Sequence, residues 1–138
     1  KSINKRVKFR EHWRPFSTSV LDSMSAEFFE KSYDDKYMCI SQQVKEPWRS
    51  EYPFITSNDG TGRSQCVNAQ NNSDLYKLLT IFQEKSGHGV LMNTALSRPG
   101  EALVCSPDDA LNMFMGTDLE YLIMQDILVT KREEASNW

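Results

Sequence analysis

Three groups of residues in this chain could meet an anionic ligand. Lys8 and Arg10 stand two residues apart, with Arg14 close behind. On an extended segment residues i and i+2 point the same way, so one phosphate could meet both cations. Arginine offers a planar fork and lysine a point charge. The second group is Asp59-Gly-Thr-Gly-Arg63, where two glycines allow close backbone approach just before an arginine. The alternative there is a hairpin turn with a surface arginine. The third group is Asn93, Thr94, Ser97 and Arg98, four polar groups directly after an apolar run. A strand that ends in short polar groups is how α/β proteins present donors to an anion.

The charge distribution agrees. The net charge is −3, yet six of the 16 basic residues lie in the first 14 positions, with Glu11 as the one acid among them. This is a local positive field inside an acidic chain, or else a solvated basic surface. The acidic balance disfavours a general nucleic-acid binder. Other chemistries find little support. His12 and His88 lack ligand companions, no Cys–His pairing has context, and neither phosphate-loop nor dinucleotide glycine fingerprints occur. No protein ligand for a metal can be named. Cys39, Cys66 and Cys105 each fall in an apparent strand without metal-ligand spacing; the odd count, without a signal peptide, suits a reducing cytoplasm. No run approaches the roughly 18 apolar residues of a membrane span.

These residues need elements to hold them. The first nine residues read as the end of a helix. Phe16–Leu21 reads as extended, with Trp13 and Phe16 as core anchors. Ser25–Lys31 reads as a short helix capped by Ser25, and Tyr37–Lys45 as a strand with Met38, Ile40 and Val44 on one face. Residues 58–62 form a turn and Arg63–Val67 a strand. Leu75, Leu78, Leu79 and Phe82, at i, i+3, i+4 and i+7, predict one buried helix face. Ser73 or Asp74 caps that helix and Gly87 ends it. Residues 89–93 predict a sheet-interior strand, followed by a second strand up to Cys105. Ser106-Pro-Asp-Asp109 opens a helix with agreeing signals, and Gly116 closes it. Tyr121–Thr130 reads as a last strand and Lys131–Trp138 as a polar tail. At 138 residues the chain has one domain's length, and strands alternating with helices predict a single α/β (α+β) domain with a mixed sheet.

The pattern resembles the C-terminal domain of the O-carbamoyltransferases that modify nodulation factors and antibiotics. Ile3-Asn4, Val7-Lys8, Arg10-Glu11, Trp13-Arg-Pro-Phe16 and Ser19-Val-Leu21 follow that family's opening. Asp59-Gly-Thr with Arg63 follows its DGTAR segment. Leu91, Asn93-Thr94, Gly100-Glu101, Val104-Cys105 and Pro107-x-Asp109-Ala110 follow its LLNTSFN-x-x-GEPIVC-x-PEDA block. The resemblance implies a YrdC-like twisted mixed sheet flanked by helices over residues 1–138, lacking its N-terminal edge. It implies that ATP and carbamoyl phosphate, with Mg²⁺ as a nucleotide companion, give carbamoyl adenylate. A separate actin-like N-terminal domain would then pass the carbamoyl group to a small-molecule hydroxyl. It implies Lys8, Arg10 and Arg63 as catalytic cations, with Arg14, Asn93, Thr94 and Ser97 binding the substrates. The YrdC-type Ser-x-Asn pair falls on Ala95 and Ser97, a departure that leaves open a catalytically idle or a nucleotide- or RNA-binding module.

Overall fold

The computed structural model describes residues 2–131. It is mixed α/β, and its described residues form two compact units, one spanning residues 13–94 and the other joining the chain up to His12 with the chain from Ala95 on.

In the first unit, β1 (Ser17–Leu21) runs directly into α2 (Asp22–Phe28), whose N-terminus has no side-chain cap. The expected cap, Ser25, is buried inside this helix, which starts three residues earlier because the strand leads straight into it. The wet strand expected over Tyr37–Lys45 shrinks to β2 (Ser41–Gln43), with Val44 bridging Phe29. Met38 adopts a left-handed φ of 59°, which breaks extension, and Ile40 is exposed. The loop before β2 is organised instead by Asp35. Its buried carboxylate accepts from the backbone N–H groups of Tyr37 (3.1 Å) and Ile40 (2.7 Å). Burial pulls the Asp35 pKa upward, but the amides of Cys39, Ile40, Tyr37 and Met38 outweigh it and hold the carboxyl below its ordinary value. One helical turn, α3 (Trp48–Glu51), stands within the expected irregular stretch.

β3 (Thr61–Val67) and β4 (Val90–Asn93) complete a four-stranded sheet of order β2-β3-β1-β4. β1 is parallel to β3 and antiparallel to β4, and β2 is antiparallel to β3. β4 is therefore an edge strand, not an interior one. Val20, Leu21 and Val67 of the sheet pack with Met24, Phe28, Phe29, Val44, Trp48 and Leu79, and the Phe28 and Trp48 rings stand 4.3 Å apart.

α4 (Ser73–Ser86) links β3 to β4. Asn72 caps it, accepting from the Leu75 N–H at 3.2 Å, in place of Ser73 or Asp74. Gly87 ends it at φ +83°, a left-handed turn that glycine adopts without strain. Only Leu79 of its expected apolar face is fully buried. Leu75 is half-buried, Phe82 is partly open and Leu78 is 53 % exposed. α4 packs on β1 and β4 at the margin of the sheet. A sheet margin is too narrow to cover an arc four residues wide.

In the other unit, α1 (Ser2–Arg6) precedes the basic segment. α5 (Pro107–Met115) opens with a capping box, in which the Ser106 hydroxyl accepts from Asp109 N–H and the Asp109 carboxylate accepts from Ser106 N–H, both at 3.1 Å. The final apolar run folds as a hairpin rather than one strand: β5 (Tyr121–Met124) turns at Gln125, φ 56°, into β6 (Ile127–Thr130). Ala110, Phe114 and Leu122 form the core here. The strand expected up to Cys105 is absent among the described residues. Around Gly100 (φ +76°) the backbone is held by a turn, Glu101 N–H to Arg98 O at 3.2 Å, and by Val104 N–H to Leu96 O at 3.1 Å. Only Cys66 of the three cysteines lies in a strand; Cys39 and Cys105 are exposed outside the sheets. The tail beyond Lys131 lies outside the described residues.

Candidate functional site

Strand register places two expected site residues in one row. Ser17 pairs with Asn93, and Thr18 pairs with Ser64, so one step back along the parallel pair Arg63 lies beside Ser17. Laterally paired residues project to the same sheet face. Arg63, Ser17 and Asn93 thus cross three strands side by side on one face, with about 10 Å between the outer two at two strand spacings. Arg63 is exposed and Asn93 half-buried.

A buried relay orients the far end of the row. The Asn93 carboxamide donates to the Ser19 hydroxyl at 3.0 Å, and that hydroxyl donates to Gln65 Oε1 at 3.0 Å. Ser19 is buried, so its one hydroxyl proton goes to Gln65 and its oxygen accepts from Asn93. Sequence reasoning missed Gln65 and the role of Ser19, although both sit on alternating strand positions that share a face with Arg63. A small recess beside Arg63 is lined by Ser17, Ser41, Ser57 and Thr61, a set of hydroxyls next to a guanidinium. The Ser17, Ser41 and Ser57 hydroxyls and the guanidinium can donate to an oxyanion, while the Thr61 hydroxyl proton goes to Asp59.

The Asp59-Gly-Thr-Gly segment shapes that recess by its own contacts. Asp59 accepts from Thr61 Oγ1 (2.7 Å) and Thr61 N–H (2.9 Å), which holds its carboxyl below the ordinary value and closes the turn. Gly62 does allow a close approach, but to protein: a Cβ there would stand 2.9 Å from the Ile55 carbonyl oxygen.

The basic segment is built differently. Phe9 has a left-handed φ of 46°, so Lys8 and Arg10 are not on an extended stretch. Lys8 is only 6 % exposed, and its ammonium donates to the backbone carbonyls of Ala95 (2.7 Å) and Ser97. It ties down the 95–97 loop. Arg10 Nε donates to Asn4 Oδ1 at 2.8 Å, and Asn4 Nδ2 donates to the Glu11 carbonyl. Arg98 turns toward α5, donating to the Asn112 carbonyl at 2.7 Å beside its C-terminus, with its Nε 3.6 Å from Glu101. Its guanidinium occupies the space a Cβ at Gly116 would need. Ser97 is half-buried and Thr94 exposed. In the 13–94 unit Arg14 is exposed ahead of β1. Trp13, expected in the core, is 71 % exposed, whereas Phe16 is buried as expected.

The opposite face of the sheet carries a feature that sequence reasoning did not find. Thr18, Val90 and Met92 join Tyr52, Phe54, Phe82 and His88 around an apolar cleft of about 310 Å³. The His88 ring stands edge-on to Trp48 at 4.9 Å. The aromatic run 48–54 was the available signal, masked by Pro47 before it and Pro53 within it. Among the described residues no helix is long and apolar enough to cross a membrane, and no group of three or more His, Cys, Asp or Glu is placed to hold a metal ion.

Comparison with known proteins gives one consistent result. Residues 1–131 match the family model described as carbamoyltransferase C-terminus. The nodulation protein NolNO of Sinorhizobium fredii is 35 % identical over 94 % of this chain, and the nodulation protein NolO of Bradyrhizobium diazoefficiens 34 % over 94 %. An uncharacterized Synechocystis protein is 32 % identical over 99 % of it. The chain spans only 20 %, 24 % and 26 % of the length of these three relatives.

Proposed function

The chain belongs to the carbamoyltransferase C-terminal family, and on that footing we propose that it binds ATP and carbamoyl phosphate as substrates for carbamoyl adenylate formation. The observation that carries this reading is the row of Arg63, Ser17 and Asn93 on one sheet face, with hydroxyls clustered beside the arginine. In this reading Arg63 holds phosphate oxygens and offsets charge that builds at phosphorus, while Asn93, set by Ser19 and Gln65, donates beside it. Water splits carbamoyl phosphate into carbamate and inorganic phosphate, and carbamate then attacks the α-phosphate of ATP with pyrophosphate leaving, which needs no covalent nucleophile from the protein. Lys8 acts within its own unit by fixing the loop of Ala95 and Ser97, and Arg14 and Thr94 lend further donors. Mg²⁺ enters with the nucleotide. The acceptor hydroxyl and its transfer belong to an actin-like partner domain in a longer polypeptide.

Titration calorimetry tests this reading. ATP or carbamoyl phosphate binds weakly to the chain, and binding weakens with salt as cations meet phosphate. Arg63→Ala lowers affinity by about 1.5–3 kcal/mol, the range for a hydrogen bond to a charged group. Ser19→Ala lowers it less, because it only unfixes Asn93. The absence of any binding at millimolar ligand by folded protein would favour the idle module. Ala95, which has no hydroxyl, points the same way, and Ala95→Ser leaves affinity unchanged or improves it.

A further inference from the structure

Helix α4 has an outward stripe as well as its inward one. Leu78 and Ile81 are 53 % and 51 % exposed. Asp74 lies four residues before Leu78 and Lys85 four residues after Ile81. The spacing 74, 78, 81, 85 keeps one line along a helix for three turns. The stripe therefore reads acid, aliphatic, aliphatic, base. Among the described residues Asp74 pairs with Lys77, an exposed contact at 3.5 Å within the helix, which is worth little and is easily exchanged.

This order complements itself in one orientation. Set two such helices antiparallel about a two-fold axis midway between residues 79 and 80. Asp74 then meets Lys85 of the second copy, and Leu78 meets Ile81 of the second copy. The symmetry repeats each pair once. A parallel arrangement puts acid on acid and base on base. We propose that α4 is a homodimer contact, an antiparallel pairing of α4 with α4 of a second copy of this chain. The charged ends set the direction, and the two aliphatic positions remove apolar surface from water. A 14-residue helix is about 21 Å long. One such pair is small beside a standard interface of roughly 1,600 Å², which puts the association in the weak, transient class.

Sedimentation equilibrium across rising protein concentration tests the proposal, with circular dichroism to confirm that each variant is folded. The wild-type chain passes reversibly from monomer to dimer. Asp74→Lys and Lys85→Asp each weaken association about tenfold or more, because like charges then meet twice. An equal mixture of those two variants recovers the dimer, since each reversed end meets a complementary one. Ile81→Lys abolishes association in every mixture. A wild-type chain that stays monomeric throughout, a dimer indifferent to these substitutions, or a mixture that fails to recover would each overturn the proposal. A monomer would leave the α4 stripe to another partner, such as the remainder of a longer polypeptide.

Discussion

Lys8 and Arg63 carry the same charge and are expected from sequence in the same task, yet the fold treats them in opposite ways. Lys8 is buried, and its ammonium is committed to the Ala95 and Ser97 carbonyls. Arg63 stands exposed on a strand, in a row with two polar neighbours. Asp35 is the anionic counterpart of Lys8, a buried charge solvated by backbone amides. A buried charge satisfied by backbone holds structure together, whereas an exposed one keeps its donors for a ligand.

The sharpest way to break this contrast is to remove Lys8. Lys8→Ala leaves two loop carbonyls without their donor and empties the buried space its side chain fills, so urea unfolding reads a loss of about 3 kcal/mol. A loss under about 0.5 kcal/mol would place Lys8 with Arg63 instead. Asp35→Asn keeps the shape but loses a charged acceptor, at a cost of about 1–2 kcal/mol near neutral pH. The sign of its pH dependence follows from the depressed pKa. The Asp35 contribution is fully present above the unfolded carboxyl value, about 3.9, and is lost as pH falls through the lower folded value. The gap between wild type and Asp35→Asn therefore closes in acid unfolding series. Arg63→Ala has the smallest effect on stability, within about 0.5 kcal/mol, as expected of an exposed side chain. Its consequence belongs to ligand binding.

What the sequence made legible follows the same division. Local chemistry was readable. The Ser106 to Asp109 capping box, the Gly87 stop and the strand through Arg63 all rest on residues that act on their neighbours. The family blocks were equally plain, since they are runs of adjacent residues. Features decided by distant partners were hidden. Nothing near Lys8 in sequence announces that carbonyls 87 and 89 positions away will receive its ammonium. A periodic face on α4 could not reveal that β4 ends the sheet and leaves Leu78 in water. The hairpin at Gln125 was missed because the run Tyr121–Thr130 carries no glycine or proline to mark its turn. Within the sheet, Arg63 and Asn93 could be named individually, but their shared row depends on the register each keeps with Ser17.

The central position of β1 bears on how this chain is made. Its side-chain links reach 46 residues ahead to Gln65 and 74 ahead to Asn93. As the polypeptide emerges from the ribosome, Ser17–Leu21 comes out first and waits with both edges bare until β3 and then β4 arrive. Closing such long loops before any contact rewards them slows folding. During that wait Val20 and Leu21, later among the most deeply buried residues, are open to solvent and to other nascent chains. The strand that organises the finished sheet is thus a segment in need of protection during synthesis.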